Sequence, residues 1–405
     1  MVLDQRKHPR MTRRLGVVPL IVALALAAGC TAGPSSGGDE PKRSGPAVTI
    51  VAPKADATNV AASAEIEFKA ENATSAEVQL ADAQGNAVEG DLRPEGTRWM
   101  PRAQLEYGTK YTATVKATDA SGESTTVTAS FTTMAKPANL VRVSSVVGDD
   151  MVVGVGMPMI VQFGRDVPEK LRASVQRRMS VRSEPAQEGS WHWFSRSEVH
   201  YRPKEFWQPG TTLDMRVLAG GLPLGDGWYG RADLTVAAEV GDSLVMTVDN
   251  ATKRMTVAAN GRTIRTIPVS LGRPGMPSSS GTLLVMERLR KTVFDTRSDP
   301  NPANRYRINI EYAQRVTWGG QFIHAAPWSV ANQGRRNVSH GCINMSMENA
   351  RWLFEQTTIG DPVIVKGTEQ RVKYGDGWTD WSMTWNQYVK GSALPAGEPS
   401  PSATG

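Results

Sequence analysis

At 405 residues the chain exceeds one ordinary domain, and two to four are expected. Its hydrophobic fraction of 40% supplies real cores, and its formal charge of +6 is concentrated at one end. Residues 1–29 carry five basic side chains against one acidic, so only +2 remains beyond them, with no basic stripe interleaved with aromatics; this excludes a nucleic-acid partner.

Residues 1–30 have the parts of a secretory signal. Basic residues end at Arg14, an apolar run over residues 15–28 is short for a membrane span, and small residues lead to Ala27-Ala28-Gly29-Cys30. That ending resembles a bacterial lipobox, with Ala27 where leucine is usual. Lipidation at Cys30 is the expectation, and plain signal cleavage is the alternative. Either route puts the body outside the cytoplasm, anchored to the outer face of the cell membrane in the first case. Residues 31–46, rich in Gly, Pro and Ser, read as a flexible linker.

Over residues 47–135 the pattern becomes one of short strands. Tyr111, Ala113, Val115 and Ala117 alternate with Thr and Lys, and Val127, Ala129 and Phe131 do the same after a Ser121-Gly122 turn. A small β-sandwich of immunoglobulin type is expected. A second copy is expected over residues 138–240. Trp99-Met100-Pro101, Leu105 and Gly108-Thr109 correspond to Tyr201-Arg202-Pro203, Trp207 and Gly210-Thr211 at a constant offset of 102 residues. The second module's Trp191, Trp193, Phe194, Trp207 and Trp228 are read as core and inter-domain packing, and His192 and His200 as packing or surface residues. Residues 242–367 form a third, β-rich unit opening on hairpins, with a short buried strand ending at Ala325, a helix from about Ser346 to Gln356 capped by Ser346, and a closing strand at Val363-Ile364-Val365. In residues 368–394, Trp381, Trp385 and Tyr388 stand at helical spacing, with Trp378 just ahead. So many aromatics imply docking on a neighbouring domain. Residues 395–405 read as a disordered tail. The fold class is mainly β: two tandem Ig-like sandwiches, then a catalytic domain with a short helix and an aromatic C-terminal segment.

The chain has two cysteines, and the other, Cys30, belongs to the signal, so Cys342 has no disulfide partner. A thiol needs a base to become a nucleophile at neutral pH. Two of the five histidines bracket it: His340 two residues before, on the same side if the chain is extended, and His324 at the end of a strand. Gly341 leaves backbone room beside the sulfur, where amides could face an oxyanion. A buried structural thiol is the bland reading. A metal site from His324, His340 and Cys342 lacks a visible fourth ligand, so no metal or other cofactor is expected.

His324, fourteen intervening residues, then Ser339-His340-Gly341-Cys342-Ile343-Asn344 resembles the signature of the L,D-transpeptidases, the YkuD-like catalytic domain. The likeness runs through Phe322-Ile323-His324-Ala325-Ala326-Pro327-Trp328-Ser329. With the two sandwiches and the lipobox, the whole architecture is similar to the mycobacterial lipoproteins of this family. The resemblance implies that Cys342 attacks a peptidoglycan stem tetrapeptide, expels D-alanine and forms a thioester, which an acceptor stem resolves into a 3→3 cross-link. It implies His324 as base, held by the carbonyl of Ala325, and an oxyanion hole from the amides of Gly341, Cys342 and His340 with the Tyr306 hydroxyl. Ser339, Asn344 and Trp328 would be substrate-binding, and carbapenem β-lactams would acylate Cys342. The family's Met-Asp-Ser-Ser lid segment is here a shorter run from Val293 to Pro300, with Phe294 in the methionine's place. Arg335 and Arg336 stand in the loop before the nucleophile, either solvated or near an acidic stem carboxylate. An L,D-carboxypeptidase and a non-enzymatic wall-binding protein remain as alternatives. Deleting residues 47–237 is expected to spare thioester chemistry in solution and to impair cross-linking in cells.

Overall fold

The computed structural model describes residues 45–298 and 300–395. The signal, Cys30, most of the linker and the tail from residue 396 lie outside the described residues.

The first sandwich packs a four-stranded sheet, built around Ile66–Glu71 and Arg98–Pro101, on a five-stranded sheet built around Lys110–Thr118 and Ser124–Thr133. Tyr111, Ala113, Val115 and Ala117 all point inward, joining Ile66, Phe68, Leu80 and Trp99 in one core, while the intervening Thr and Lys face outward. The second sandwich pairs Met159–Phe163 and Glu198–Pro203 in one sheet and Thr212–Val217 and Leu234–Val240 in the other. It adds a helix, Glu169–Gln176, and a small third sheet that the sequence pattern did not mark.

The repeat is written in the hydrogen bonds. Leu105 N–H donates to Ala62 O at 2.8 Å, and Trp207 N–H to Val155 O at 2.9 Å. Gly108 donates to Met134 O and Gly210 to Val240 O, both at 2.8 Å, with φ of +63° and +75°. Glycine is the residue that takes this conformation without a Cβ penalty, so the same turn recurs at the same place.

The third unit has a six-stranded sheet centred on Leu244–Asp249 and Pro362–Lys366, and a four-stranded sheet in the order Glu287–Asp295, Arg307–Arg315, Phe322–Ala325, Ile343–Met345. The helix Met347–Gln356 follows directly on the last strand, and Ser346 Oγ accepts from the Asn349 amide at its N-terminus. Ala350 and Leu353 are its buried residues. It lies against the strands Arg307–Arg315 and Phe322–Ala325, backing the sheet that carries the site.

The C-terminal segment joins the second sandwich to the third unit. Its aromatics do not form one continuous helix. A 3₁₀ turn, Asp380–Ser382, is followed by extended Met383 and by a short helix, Trp385–Tyr388, capped by Thr384 and Gln387 in a capping box. The break leaves Met383 O free to accept from Arg202 at 3.3 Å. The Arg202 guanidinium stacks on Trp381 at 4.2 Å and on Tyr388 at 4.3 Å. His200, 1% exposed, bonds Asp380 through Nδ1 at 3.0 Å and Glu198 through Nε2 at 3.1 Å. His192 bonds Tyr388 O at 2.7 Å, and Trp381 Nε1–H donates to Gly156 O at 2.6 Å. On the other side Ser382 Oγ–H donates to Thr282 O at 3.0 Å. Trp191 and Trp207 fill the second core, and Phe194 stacks flat on Tyr374 at 5.2 Å, so these aromatics are packing residues. The second sandwich is therefore not a detachable spacer. Removing residues 47–237 would strip the partners from Tyr388 and Asp380, so only the first sandwich can be deleted without opening this junction.

Burial alone lowers the pKa of His200, but the charge and hydrogen bond of Asp380, with Glu198, outweigh it and raise it to about 9. A histidine whose pKa is raised on folding stabilises fully below its unfolded value, about 6.5, and loses that contribution as pH climbs through the folded value. Thermal denaturation should therefore show stability falling between about pH 6.5 and pH 9 in a way that His200→Gln abolishes. Asp380→Ala, which strands a buried cation, should cost about 3–5 kcal/mol at pH 7. A pH profile identical in the parent and in His200→Gln would show that the ion pair is not the source.

Candidate functional site

The two halves of the site come together through one parallel pairing: Phe322–Ala325 lies beside Ile343–Met345, with His324 opposite Asn344. His324 and Asn344, opposite each other, share one face of the sheet, and both line a cavity that Cys342 also lines. His324 is 3% exposed, and its Nδ1 bonds the Ala325 carbonyl at 2.8 Å. With Nδ1 as the donor, Nε2 is left as the basic nitrogen. Ala325 itself is buried and contributes only its carbonyl.

Residues 340–342 form a turn and not an extended strand, so the same-side argument for His340 and Cys342 does not apply; the strand begins only at Ile343. Gly341 sits at φ +121°, a conformation that L side chains rarely adopt, while a Cβ there would meet nothing closer than Gln321 at 3.5 Å. Conformation, not crowding, is what demands glycine. Its amide, expected in an oxyanion hole, instead donates to Ser339 Oγ at 3.1 Å. The same hydroxyl donates to Cys342 O at 2.6 Å, so Ser339 closes the turn on itself and has no proton left for a substrate. Ser278, which the sequence reading passed over, donates from Oγ to Gly341 O at 2.7 Å.

Cys342 is 9% exposed, against a wall of Phe322, Ile308, Ile310 and Phe294. Its thiol faces Gly320 O at 3.8 Å. Burial pushes its pKa up to about 11, with the Phe322 amide partly opposing that. Burial likewise pushes His324 down to about 4, against its bond to Ala325 O. The unliganded site therefore holds a neutral thiol and a neutral imidazole.

Two cavities, of about 300 Å³ and 330 Å³, adjoin Cys342, and both are also lined by Phe294, Tyr306 and His340. The first also reaches His324, Trp328, Ser339 and Asn344; the second reaches Asp295, Arg315, Gly319 and Gly320. Phe294 packs on Phe322 at 4.7 Å and on His324 at 5.3 Å, at the end of the strand that leads into the lid. The Tyr306 ring lies 5.3 Å from that of His340. Burial raises the Tyr306 pKa, with Cys342 adding to it, so its hydroxyl stays a donor. Trp328 is 55% exposed, its ring 6.1 Å from that of His324. Asn344 is buried, with a long 3.5 Å contact to Ser329 Oγ and a carbonyl oxygen that no protein donor meets. Arg335 and Arg336 are exposed and line neither cavity, whereas Arg307, not singled out from sequence, lines the first. Among the described residues no group of three His, Cys, Asp or Glu side chains is disposed to hold a metal ion.

Comparison with known proteins bears on both halves of the chain. The profile of the L,D-transpeptidase catalytic domain matches residues 243–365, and that of a bacterial Ig domain matches residues 57–222, which spans strands of both sandwiches. L,D-transpeptidase 2 of Mycobacterium tuberculosis (strain CDC 1551 / Oshkosh) is 33% identical over 341 residues, covering 83% of each chain. L,D-transpeptidase 5 of Mycobacterium tuberculosis (strain ATCC 25618 / H37Rv) is 33% identical over 374 residues, 90% of this chain and 81% of the relative. The solved LD transpeptidase LdtMt1 in complex with imipenem is 34% identical, covers 57% of this chain and 100% of its own, and superposes with a TM-score of 0.48.

The burial of both groups predicts a particular reactivity. Only the thiolate is alkylated, so iodoacetamide labelling of Cys342 in the unliganded protein should rise about tenfold per pH unit from pH 7 to pH 10 without a plateau. The readout is intact mass against time. A plateau below pH 8 would reveal a thiolate already formed at neutral pH.

Proposed function

The chain belongs to the L,D-transpeptidases, and from that premise we propose that it joins peptidoglycan stem peptides through a thioester on Cys342, forming 3→3 cross-links. The observation that carries this reading is the pair of cavities that Cys342 lines in common, because a transpeptidase must bring two peptides to one nucleophile. The donor stem fits the cavity that holds His324 and Asn344, and the acceptor amine approaches from the side of Gly319 and Gly320.

In the first half-reaction His324 Nε2 takes the thiol proton as the sulfur adds to the donor carbonyl. The neutral starting pair makes this transfer concerted with attack. Donor binding displaces water from a wall that already disfavours charge, so no thiolate accumulates beforehand. The oxyanion is met by the Cys342 amide and the Tyr306 hydroxyl, since the Gly341 amide is engaged by Ser339. His324 then returns the proton to the departing amine, the carbon–nitrogen bond breaks, and D-alanine leaves. In the second half-reaction the acceptor amine adds to the thioester carbonyl and gives its proton to His324. The sulfur leaves and recovers that proton, so the enzyme is regenerated and one amide bond has replaced another. β-Lactams of the carbapenem type would acylate Cys342 by the same first step.

Lipidation at Cys30 would fix the protein to the outer face of the cell membrane, with the two sandwiches carrying the catalytic domain toward the wall. A Cys30→Ala form that stays in the membrane fraction would exclude the anchor; release into the soluble fraction is expected.

Full-length protein incubated with purified disaccharide-tetrapeptide should yield, by mass spectrometry, a dimer lacking one D-alanine, absent with Cys342→Ala. Cysteine-dependent tripeptide monomer alone would assign an L,D-carboxypeptidase instead. No product and no acyl-enzyme from folded protein would leave the fold with a wall-binding role only.

A further inference from the structure

The turn that carries the nucleophile is anchored from behind by a hydroxyl far away in sequence. Ser278 is 2% exposed, and its Oγ makes two bonds: it accepts from Gly272 N–H at 3.0 Å and donates to Gly341 O at 2.7 Å. A hydroxyl has one proton to give. The Gly272 amide occupies its acceptor side, so that proton is committed to the Gly341 carbonyl.

The anchor is itself rigid. A Cβ on Gly272 would fall 2.1 Å from Met276 O and 2.5 Å from Ser278 N, so the loop folds back as tightly as a backbone can. It is also tied to the start of the turn, where Arg273 N–H donates to Ser339 O at 2.9 Å and Ser339 N–H to Leu271 O at 3.1 Å.

The consequence lies in the peptide between Gly341 and Cys342. Glycine at φ +121° tolerates rotation of its neighbouring peptide planes with little steric cost. In a trans peptide the C=O and the N–H point in opposite directions. With the carbonyl bound to Ser278, the Cys342 N–H is held on the other edge of the plane. Were the plane to flip, a carbonyl oxygen would stand where the amide stood, and its dipole would repel a developing oxyanion.

We propose that Ser278 is a positioning residue for acyl transfer, its hydroxyl anchoring the Gly341 carbonyl so that the Cys342 amide stays presented to the oxyanion. This rests on Cys342 being the nucleophile.

Two reagents separate the effect from a general disturbance of the cysteine. Imipenem acylation forms a sulfur–carbonyl bond, breaks the β-lactam carbon–nitrogen bond and leaves the thiol proton on that nitrogen, passing through an oxyanion. Iodoacetamide alkylation forms a sulfur–carbon bond, expels iodide and creates no oxyanion. In the full-length protein Ser278→Ala should slow acylation by about tenfold or more, as expected for a misplaced oxyanion donor, and change alkylation by no more than about twofold. Ser278→Thr, which keeps the hydroxyl, should acylate within about threefold of the parent. Acylation at the parental rate in Ser278→Ala, equal slowing of both reactions, or a loss in Ser278→Thr as deep as in Ser278→Ala would each overturn the proposal. Should Ser278→Ala not melt cooperatively, Ser278→Thr and Ser278→Val, alike in shape and different in the hydroxyl, replace it, and equal acylation rates in that pair overturn it. A parent protein that forms no imipenem adduct at Cys342 would instead overturn the reading of the nucleophile itself.

Discussion

Everything at the candidate site hangs on the parallel pairing of Phe322–Ala325 with Ile343–Met345. Parallel strands cannot be joined by a tight turn, so the chain between them must travel out and back. Residues 326–342 make that excursion, and both ends of it are chemical: His324 and Trp328 near the start, the Ser339–Cys342 turn at the finish. A slip of one residue would send His324 to the opposite face of the sheet. The register is fixed by Ile323, Ala325, Ile343 and Met345, which point into the core on the far side, under the helix that begins at Met347.

The same burial that fixes the register sets the resting chemistry. Phe294, Phe322, Ile308 and Ile310 exclude water from the sulfur and disfavour its charged form, as the strand environment does for the His324 imidazolium. A neutral pair gains nothing from pre-ionisation, and in the proposed reaction it would depend on what the backbone presents once the carbonyl is attacked. Three side-chain hydrogen bonds of Ser339 and Ser278 converge on this turn of four residues. They hold the peptide planes that a glycine would otherwise leave free to rotate.

Local pattern carried a good part of this. Alternation along Tyr111 to Ala117 gave a strand, Ser346 ahead of an apolar face gave a capped helix, and a run of tryptophans implied a docked C-terminal segment. The motif brought His324 and Cys342 to notice before any geometry. What stayed hidden depends on long-range contacts that leave no periodic trace. Ser278 lies in a Pro/Ser stretch that reads as loop, 63 residues from the carbonyl it binds. His200 and Asp380 are 180 residues apart, and nothing near either announces the other. The occupation of the Gly341 amide by Ser339 Oγ depends on how the chain bends at residues 339 and 340, which spacing cannot supply.

The junction between the second sandwich and the catalytic unit has a further consequence, for the order in which the protein can mature. Its sealing residues, Tyr374 through Leu394, are almost the last of the described residues, while their receptors on the sandwich, His192, His200 and Arg202, are made some 180 residues earlier. Domains fold broadly in the order in which they become available. The sheet that carries His324 and Cys342 can thus form while Phe206 and Arg202 still await the Trp381–Tyr388 roof. A chain ending near residue 367 would leave an unroofed aromatic face, open to association with other molecules, and would lack Asp376, which accepts from the Gly319 amide beside the second cavity.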